Sequence, residues 1–185
     1  MAHRVCPWWL GYFLASPLRK LRQDPKAICS PFVTEGMTVL EPGPGMGFFT
    51  LELARLVGPA GRVIAVDVQP KMLAALRRRA VRRGLEGRIE TRVAMDGGLG
   101  LADLAGRVDF ALAFAMVHEV PDSARFFGEV AAALKGGARL LLAEPTGHVT
   151  PRDFDATLAL AADRGLAVVD RPRISASHAA VLAKS

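Results

Sequence analysis

Cysteine is nearly missing from this chain: Cys6 and Cys29 are the two in 185 residues, and no CxxC pair occurs. That excludes a disulfide-held scaffold and a thiolate metal cage, and it suits a reducing cytoplasm. No cluster of acidic or histidine ligands replaces the thiolates, so no metal is expected. Tyrosine occurs once and tryptophan twice, and Trp8, Trp9 and Tyr12 all fall in one short opening segment. Long apolar runs are lacking as well. The opening "MAHRVCPWWLGYFLASPLRK" has an arginine followed by an apolar stretch, but two tryptophans and a proline interrupt it, and "FLASP" makes a poor cleavage site. The stretch stops well short of the ~20 residues that span a bilayer. The expectation is a soluble, cytoplasmic protein without a transmembrane segment. Internal repeats, low-complexity tracts and linkers are absent too. The length then suits one domain with a full-sized core, with residues 1–36 as an N-terminal helical cap and 37–185 as an α/β core.

What is present is the composition of a folded protein, 51% hydrophobic and 23% charged. A net charge of +6 is compatible with a polyanionic partner, but ordinary surface charge explains it as well, and nucleic acid is not the expected partner. The basic cluster "RRRAVRR" (77–83) falls late in a helical pattern. A solvated face, favoured by the helix dipole, accounts for it.

From residue 37 onward, apolar β-rich runs alternate with helical patterns. Strands are expected at Met37–Glu41, Arg62–Asp67, Ile89–Val93, Val108–Phe114, Ala138–Glu144, Leu166–Asp170 and His178–Ala183. Helices are expected at Phe49–Leu56, Pro70–Arg83, Ser123–Leu134 and Pro151–Arg164, with two short pieces earlier, capped at Ser16-Pro17 and Asp24-Pro25. Runs such as "RVIAVD", "VDFALAF" and "ARLLLAE" are continuously apolar, which indicates parallel strands covered on both faces. Alternation of β and α then gives a doubly wound α/β sandwich. Glycines at 58 and 61, at 84, and at 136–137 read as the C-terminal ends of three helices.

The stretch "TVLEPGPGMGFFTLELA" (38–54) places Gly43, Gly45 and Gly47 at alternate positions between a strand and a helix. In open α/β sheets, ligands sit beyond the carboxyl ends of the strands, and glycines there let the backbone approach them. Two cofactor classes use such a turn, nicotinamide dinucleotides and S-adenosylmethionine. A dinucleotide fingerprint reads G-x-G-x-x-G, whereas the spacing here is G-x-G-x-G with Glu41 just before it.

This "VLExGxGxG" form resembles motif I of the class I S-adenosylmethionine-dependent methyltransferases. The resemblance continues through "VIAVDVQPKML", "VDFALAFAMVHEVPD" and "GGARLLLAEP", in the family's order, and covers roughly residues 25–145. It implies a Rossmann-like, mostly parallel seven-stranded sheet whose last strand is antiparallel, with S-adenosylmethionine as cofactor. Carried over, Glu41 and the backbone at Gly43, Gly45 and Gly47 would surround the methionine moiety. Asp67 would accept from both ribose hydroxyls. Val68 and Met72 would flank adenine, Asp96 would meet the adenine amine, and Phe114 would line the methionine end.

Methyl transfer from a sulfonium leans on positioning and desolvation, and a base is needed only for a protonated nucleophile. The candidates are His118 and Glu119, for which a structural role is the competing reading. Acceptor contacts are expected from Glu144 and His148 and from Trp8, Trp9 and Tyr12, as a short N-terminal lid over an apolar pocket. The acceptor is then a small, partly apolar molecule. The widely separated cysteines give little support for a metalloid acceptor. Alternatives are a non-catalytic S-adenosylmethionine-binding protein and, less favoured by the glycine spacing, an NAD(P)-dependent oxidoreductase.

Overall fold

Capping residues set most of the helix starts. Asp24 accepts the Lys26 N–H at 3.0 Å ahead of Pro25, and α1 runs Pro25–Cys29. Asp122 does the same for α4, Ser123–Ala133, accepting from Arg125 N–H at 2.9 Å. Thr150, followed by Pro151, caps α5, Pro151–Ala162, and accepts from Asp153 N–H at 3.2 Å. The computed structural model describes residues 23–94 and 98–185. They divide into two compact units, one up to Ala94 and one from Gly98 to Ser185.

The first unit holds β1 (Thr38–Pro42), α2 (Thr50–Leu56), β2 (Arg62–Asp67), α3 (Pro70–Val81) and β3 (Ile89–Val93). The strands lie in the order β3-β2-β1, all parallel, with Leu40 opposite Ile64 and Val63 opposite Ile89. The apolar run of β2 occupies the centre, and Val63, Ile64 and Ala65 are fully buried. β3 has no fully buried position, mixing half-buried with exposed residues as an edge strand does. Helix α2 packs on β2, and α3 lies across β2 and β3, so the turns that open both helices sit at the carboxyl ends of β1 and β2.

The second unit holds β4 (Val108–Phe114), α4, β5 (Leu134–Pro145), α5, β6 (Leu166–Asp170) and β7 (Ser177–Lys184), with strand order β4-β5-β7-β6. β4 and β5 are parallel, and β7 runs antiparallel to both of its neighbours. Phe110, Phe127, Leu112, Leu134 and Leu140 fill its core. The seven strands and alternating helices are those of the doubly wound α/β class, with the last strand antiparallel.

One local expectation is overturned. Gly136 and Gly137 do not close a helix; α4 passes straight into β5 at Leu134, and the pair lies inside the strand. Val108 pairs with Leu134 and Phe110 with Arg139, so the extra residues of β5 bulge out between those pairs. Gly137 adopts φ +74° there. The left-handed conformation that a helix end also needs is used by the bulge.

Candidate functional site

The glycine turn is tied down from two sides. Gly43 N–H donates to the Val66 carbonyl at 2.8 Å, and Gly47 N–H donates to the Pro44 carbonyl at 2.9 Å. All three glycines have positive φ, +68°, +53° and +83° in chain order. Asp67, at the end of β2, accepts from Gly45 N–H at 3.2 Å on Oδ2 and from Gln69 N–H at 2.8 Å on Oδ1. One carboxylate thus joins the turn after β1 to the turn after β2. The Arg79 guanidinium, from α3, donates to the Met46 carbonyl. Met72 is buried with Met46 and Ala75, while Val68 is 57% exposed beside Asp67. Motif reading did not single out Gln69 or Thr50, and it placed Arg79 only within the solvated basic face of 77–83, whereas its guanidinium turns to the Met46 carbonyl. A pair 33 positions apart, such as Arg79 and Met46, has no local signature.

Glu41 is the unusual group of this unit. Its side chain is buried, and Oε2 has no hydrogen-bond partner among the described residues. The Thr50 hydroxyl, at the start of α2, is also buried without a well-formed bond. Burial pushes the Glu41 carboxyl up to about 8; the nearby Thr50 hydroxyl offsets part of the rise, and the Asp67 charge adds to it. Between an ordinary 4.5 and about 8 the folded chain therefore holds a proton that the unfolded chain has released. Stability contributed by this group is complete below the unfolded value and is lost as pH rises through the folded one. The cofactor-free thermal midpoint should fall by several degrees from pH 5 to pH 8. Glu41→Gln should flatten that slope and raise the midpoint at pH 8. Equal slopes in the two proteins would show that Glu41 ionises freely.

In the second unit the polar groups gather after β4 and at the end of β5. Phe114 ends β4 and is 9% exposed. Ala115 follows in the left-handed region, φ 56°, with its N–H donating to the Ala143 carbonyl at 2.7 Å. Such a conformation costs a non-glycine residue about 1 kcal/mol and persists only where its surroundings hold it. Glu144, 2% exposed, supplies that hold: Oε1 accepts from Val117 N–H at 2.7 Å and from Met116 N–H at 3.3 Å. Its Oε2 contacts Nδ1 of His118. The other ring nitrogen, Nε2, lies 3.9 Å from Glu119 Oε1, beyond hydrogen-bond reach. The exposed His148 ring stacks on His118 with centroids 5.8 Å apart and planes 14° apart. The hydrogen bond to Glu144 raises the His118 pKa, burial opposes it, and the charges of Glu144 and Glu119 add to it.

His118, Glu119, Glu144 and His148 thus come together as neighbours. Glu144, expected among the acceptor contacts, is buried here, with its oxygens engaged by the turn and the imidazole. Trp8, Trp9, Tyr12 and Asp96 lie outside the described residues, as do the helical piece at Ser16-Pro17 and Cys6. Among the described residues no group of three or more His, Cys, Asp or Glu is arranged to hold a metal ion, and no helix is long and apolar enough to cross a membrane.

Comparison with known proteins places this geometry. A family model described as the methyltransferase domain matches residues 33–167. The arsenite methyltransferase of Halobacterium salinarum is 31% identical over 121 residues, which are 65% of this chain and 30% of that protein. A ubiquinone/menaquinone biosynthesis C-methyltransferase of Pseudomonas putida is 32% identical over 127 residues, 67% of this chain and 49% of that protein. The chain therefore spans half or less of the length of these relatives. A solved SAM-dependent methyltransferase from Aquifex aeolicus superimposes with a TM-score of 0.85 at 25% identity, covering 97% of this chain and 98% of that one. With the sheet topology and the glycine turn already described, the chain belongs to the methyltransferase domain family, a Rossmann-like fold whose cofactor is S-adenosylmethionine.

Proposed function

We propose that this chain transfers a methyl group from S-adenosylmethionine to a small, partly apolar organic acceptor. The observation that carries the reading is Glu41: a buried carboxyl oxygen without a partner, two residues before the first of three positive-φ glycines. A ligand bearing an ammonium group satisfies that oxygen, so the residues present fit the cofactor. Glu41 and the backbone of Gly43, Gly45 and Gly47 hold its methionine part, and Asp67 takes the ribose hydroxyls. Val68 and Met72 flank the adenine, Asp96 meets the adenine amine, and Phe114 lines the methionine end. Bound there, the cofactor supplies an electrophilic methyl group on a neutral leaving group.

An organic acceptor is favoured over a metalloid. Cys29 is fully buried, and burial pushes its thiol well above its ordinary value, so it stays protonated. The acceptor contacts are proposed from His148 and from Trp8, Trp9 and Tyr12. Removing residues 1–16 should therefore leave S-adenosylhomocysteine binding intact and abolish transfer to the true acceptor. Full transfer by the truncated chain would remove the aromatic segment from the acceptor site.

Calorimetry on the purified chain tests the reading, with S-adenosylhomocysteine and NADH as probes. Binding of S-adenosylhomocysteine alone is expected, and tight binding of NADH alone would overturn it. A screen of methyl acceptors follows. Cofactor binding without turnover on any acceptor would favour a non-catalytic binding protein.

A further inference from the structure

The turn after β4 and the end of β5 hold titratable side chains that the proposed cofactor contacts leave unused. His118 is half-buried, with Glu144 at its Nδ1, Glu119 3.9 Å from its Nε2 and the His148 ring stacked on its face. Glu144 already accepts two backbone N–H groups on Oε1. A carboxylate can only accept, so His118 presents Nδ1–H to Oε2, and its lone pair sits on Nε2. That nitrogen belongs to a side chain that is 24% exposed. Resting on the methyltransferase reading, we propose that Glu144 is a positioning residue that fixes this tautomer, and that His118 Nε2 is the general base for an acceptor carrying a phenol- or enol-type O–H.

Charge selects that acceptor class. Moving a proton from a neutral O–H to a neutral imidazole creates an imidazolium beside an oxyanion, and the buried Glu144 stabilises the imidazolium. An ammonium acceptor gives up its proton without creating charge and gains little from such a carboxylate. An aliphatic alcohol, far less acidic, gives its proton to imidazole only in concert with bond formation, so a phenol or enol gains the most from this base. In the step itself, the acceptor's O–H proton passes to Nε2. The electron pair so released, on oxygen or on the conjugated carbon, forms the new bond to the methyl carbon. The carbon–sulfur pair leaves with the sulfur. The raised pKa of His118 agrees with this arrangement. Among the described residues, the titratable groups facing the ring are Glu144 from β5, Glu119 from its own turn and His148 from the loop after β5.

The competing explanation is that Glu144 only holds the turn at Ala115, and the two roles separate by experiment. The full chain is assayed with S-adenosylmethionine and a series of ring-substituted phenols of graded acidity, read by S-adenosylhomocysteine release. Affinity for S-adenosylhomocysteine is measured alongside. His118→Ala should lose about 100-fold or more in turnover on weakly acidic phenols, yet little on a nitrophenol already ionised at the assay pH. Glu144→Gln should lower kcat about 10-fold or more with KM nearly unchanged, and move the acidic limb of the pH profile down; Glu144→Asp should restore part of the loss. Affinity for S-adenosylhomocysteine should stay within a few-fold of wild type throughout. Losses that are equal across the series, whatever the acidity, would assign the pair to the turn alone and overturn the proposal. A wild type that binds S-adenosylhomocysteine but methylates no phenol would also overturn it, leaving the cofactor reading in place. No binding at all would sink the methyltransferase reading itself. Should Glu144→Gln fail to fold, His118→Ala carries the acidity test alone.

Discussion

Gly47→Val should lower the stability of the chain by about 2–4 kcal/mol, a drop of about 5–15 °C in thermal midpoint for a domain of this size. Two costs add. Gly47 has φ +83°, outside the range that a β-branched residue adopts readily. A Cβ there would also run into Leu76 Cδ1, with Leu51 Cγ 3.6 Å away. Leu76 is fully buried in the packing of α3, so it yields only by disturbing the core. Gly45 provides the contrast. Its φ is +53°, and a Cβ built there meets nothing within 4 Å. Gly45→Ala should therefore cost the fold about 1 kcal/mol or less, yet weaken S-adenosylhomocysteine binding if the open space beside it is the proposed approach of the ligand to the backbone. Thermal unfolding and calorimetry on both variants separate the two positions. A Gly47→Val protein as stable as wild type would mean that the turn is packed differently.

Asp67→Ala should weaken S-adenosylhomocysteine binding by about 10- to 100-fold, toward the upper end. Charge-assisted hydrogen bonds are worth about 1.5–3 kcal/mol, and the substitution removes the acceptor proposed for the ribose hydroxyls. It also releases Gly45 N–H and Gln69 N–H, which the carboxylate holds at 3.2 Å and 2.8 Å, so the glycine turn loses the tether that shapes it. Asp67→Asn keeps an acceptor oxygen for one of these and should lose less. The midpoint of the alanine variant should change by only a few degrees, because Gly45 and Gln69 are half-buried and their N–H groups can turn to solvent when the carboxylate is gone. Unchanged affinity in a folded Asp67→Ala protein would take Asp67 out of the cofactor site.

Much of the scaffold was legible in the residues alone, and the reason is local. Continuous apolar runs bounded by turn residues located β2, β3, β4 and β6 at the ends the structure gives them, and β1 and β7 to within a residue or so. Asp24 marks a helix start because a cap and its N–H partner sit two residues apart. The family followed from motif order, since G-x-G-x-G, Glu41 and Asp67 are each read within a short window.

Tertiary structure decided whatever depends on residues far apart in sequence. Gly136 and Gly137 carry the signature of a helix end, and only strand pairing turns them into a bulge inside β5. Gly45 and Gly47 look alike in the motif, but the packing of Leu76 separates one open position from one filled one. The raised pKa of Glu41 follows from burial, which no motif displays. His118 and Glu144 stand 26 residues apart, on a turn and a strand that meet through the parallel pairing of β4 with β5. Local pattern sets which elements form and where a ligand's backbone cradle lies. Long-range contacts, formed only when the sheet closes, set which side chains share a hydrogen bond, which are desolvated, and so which carry chemistry.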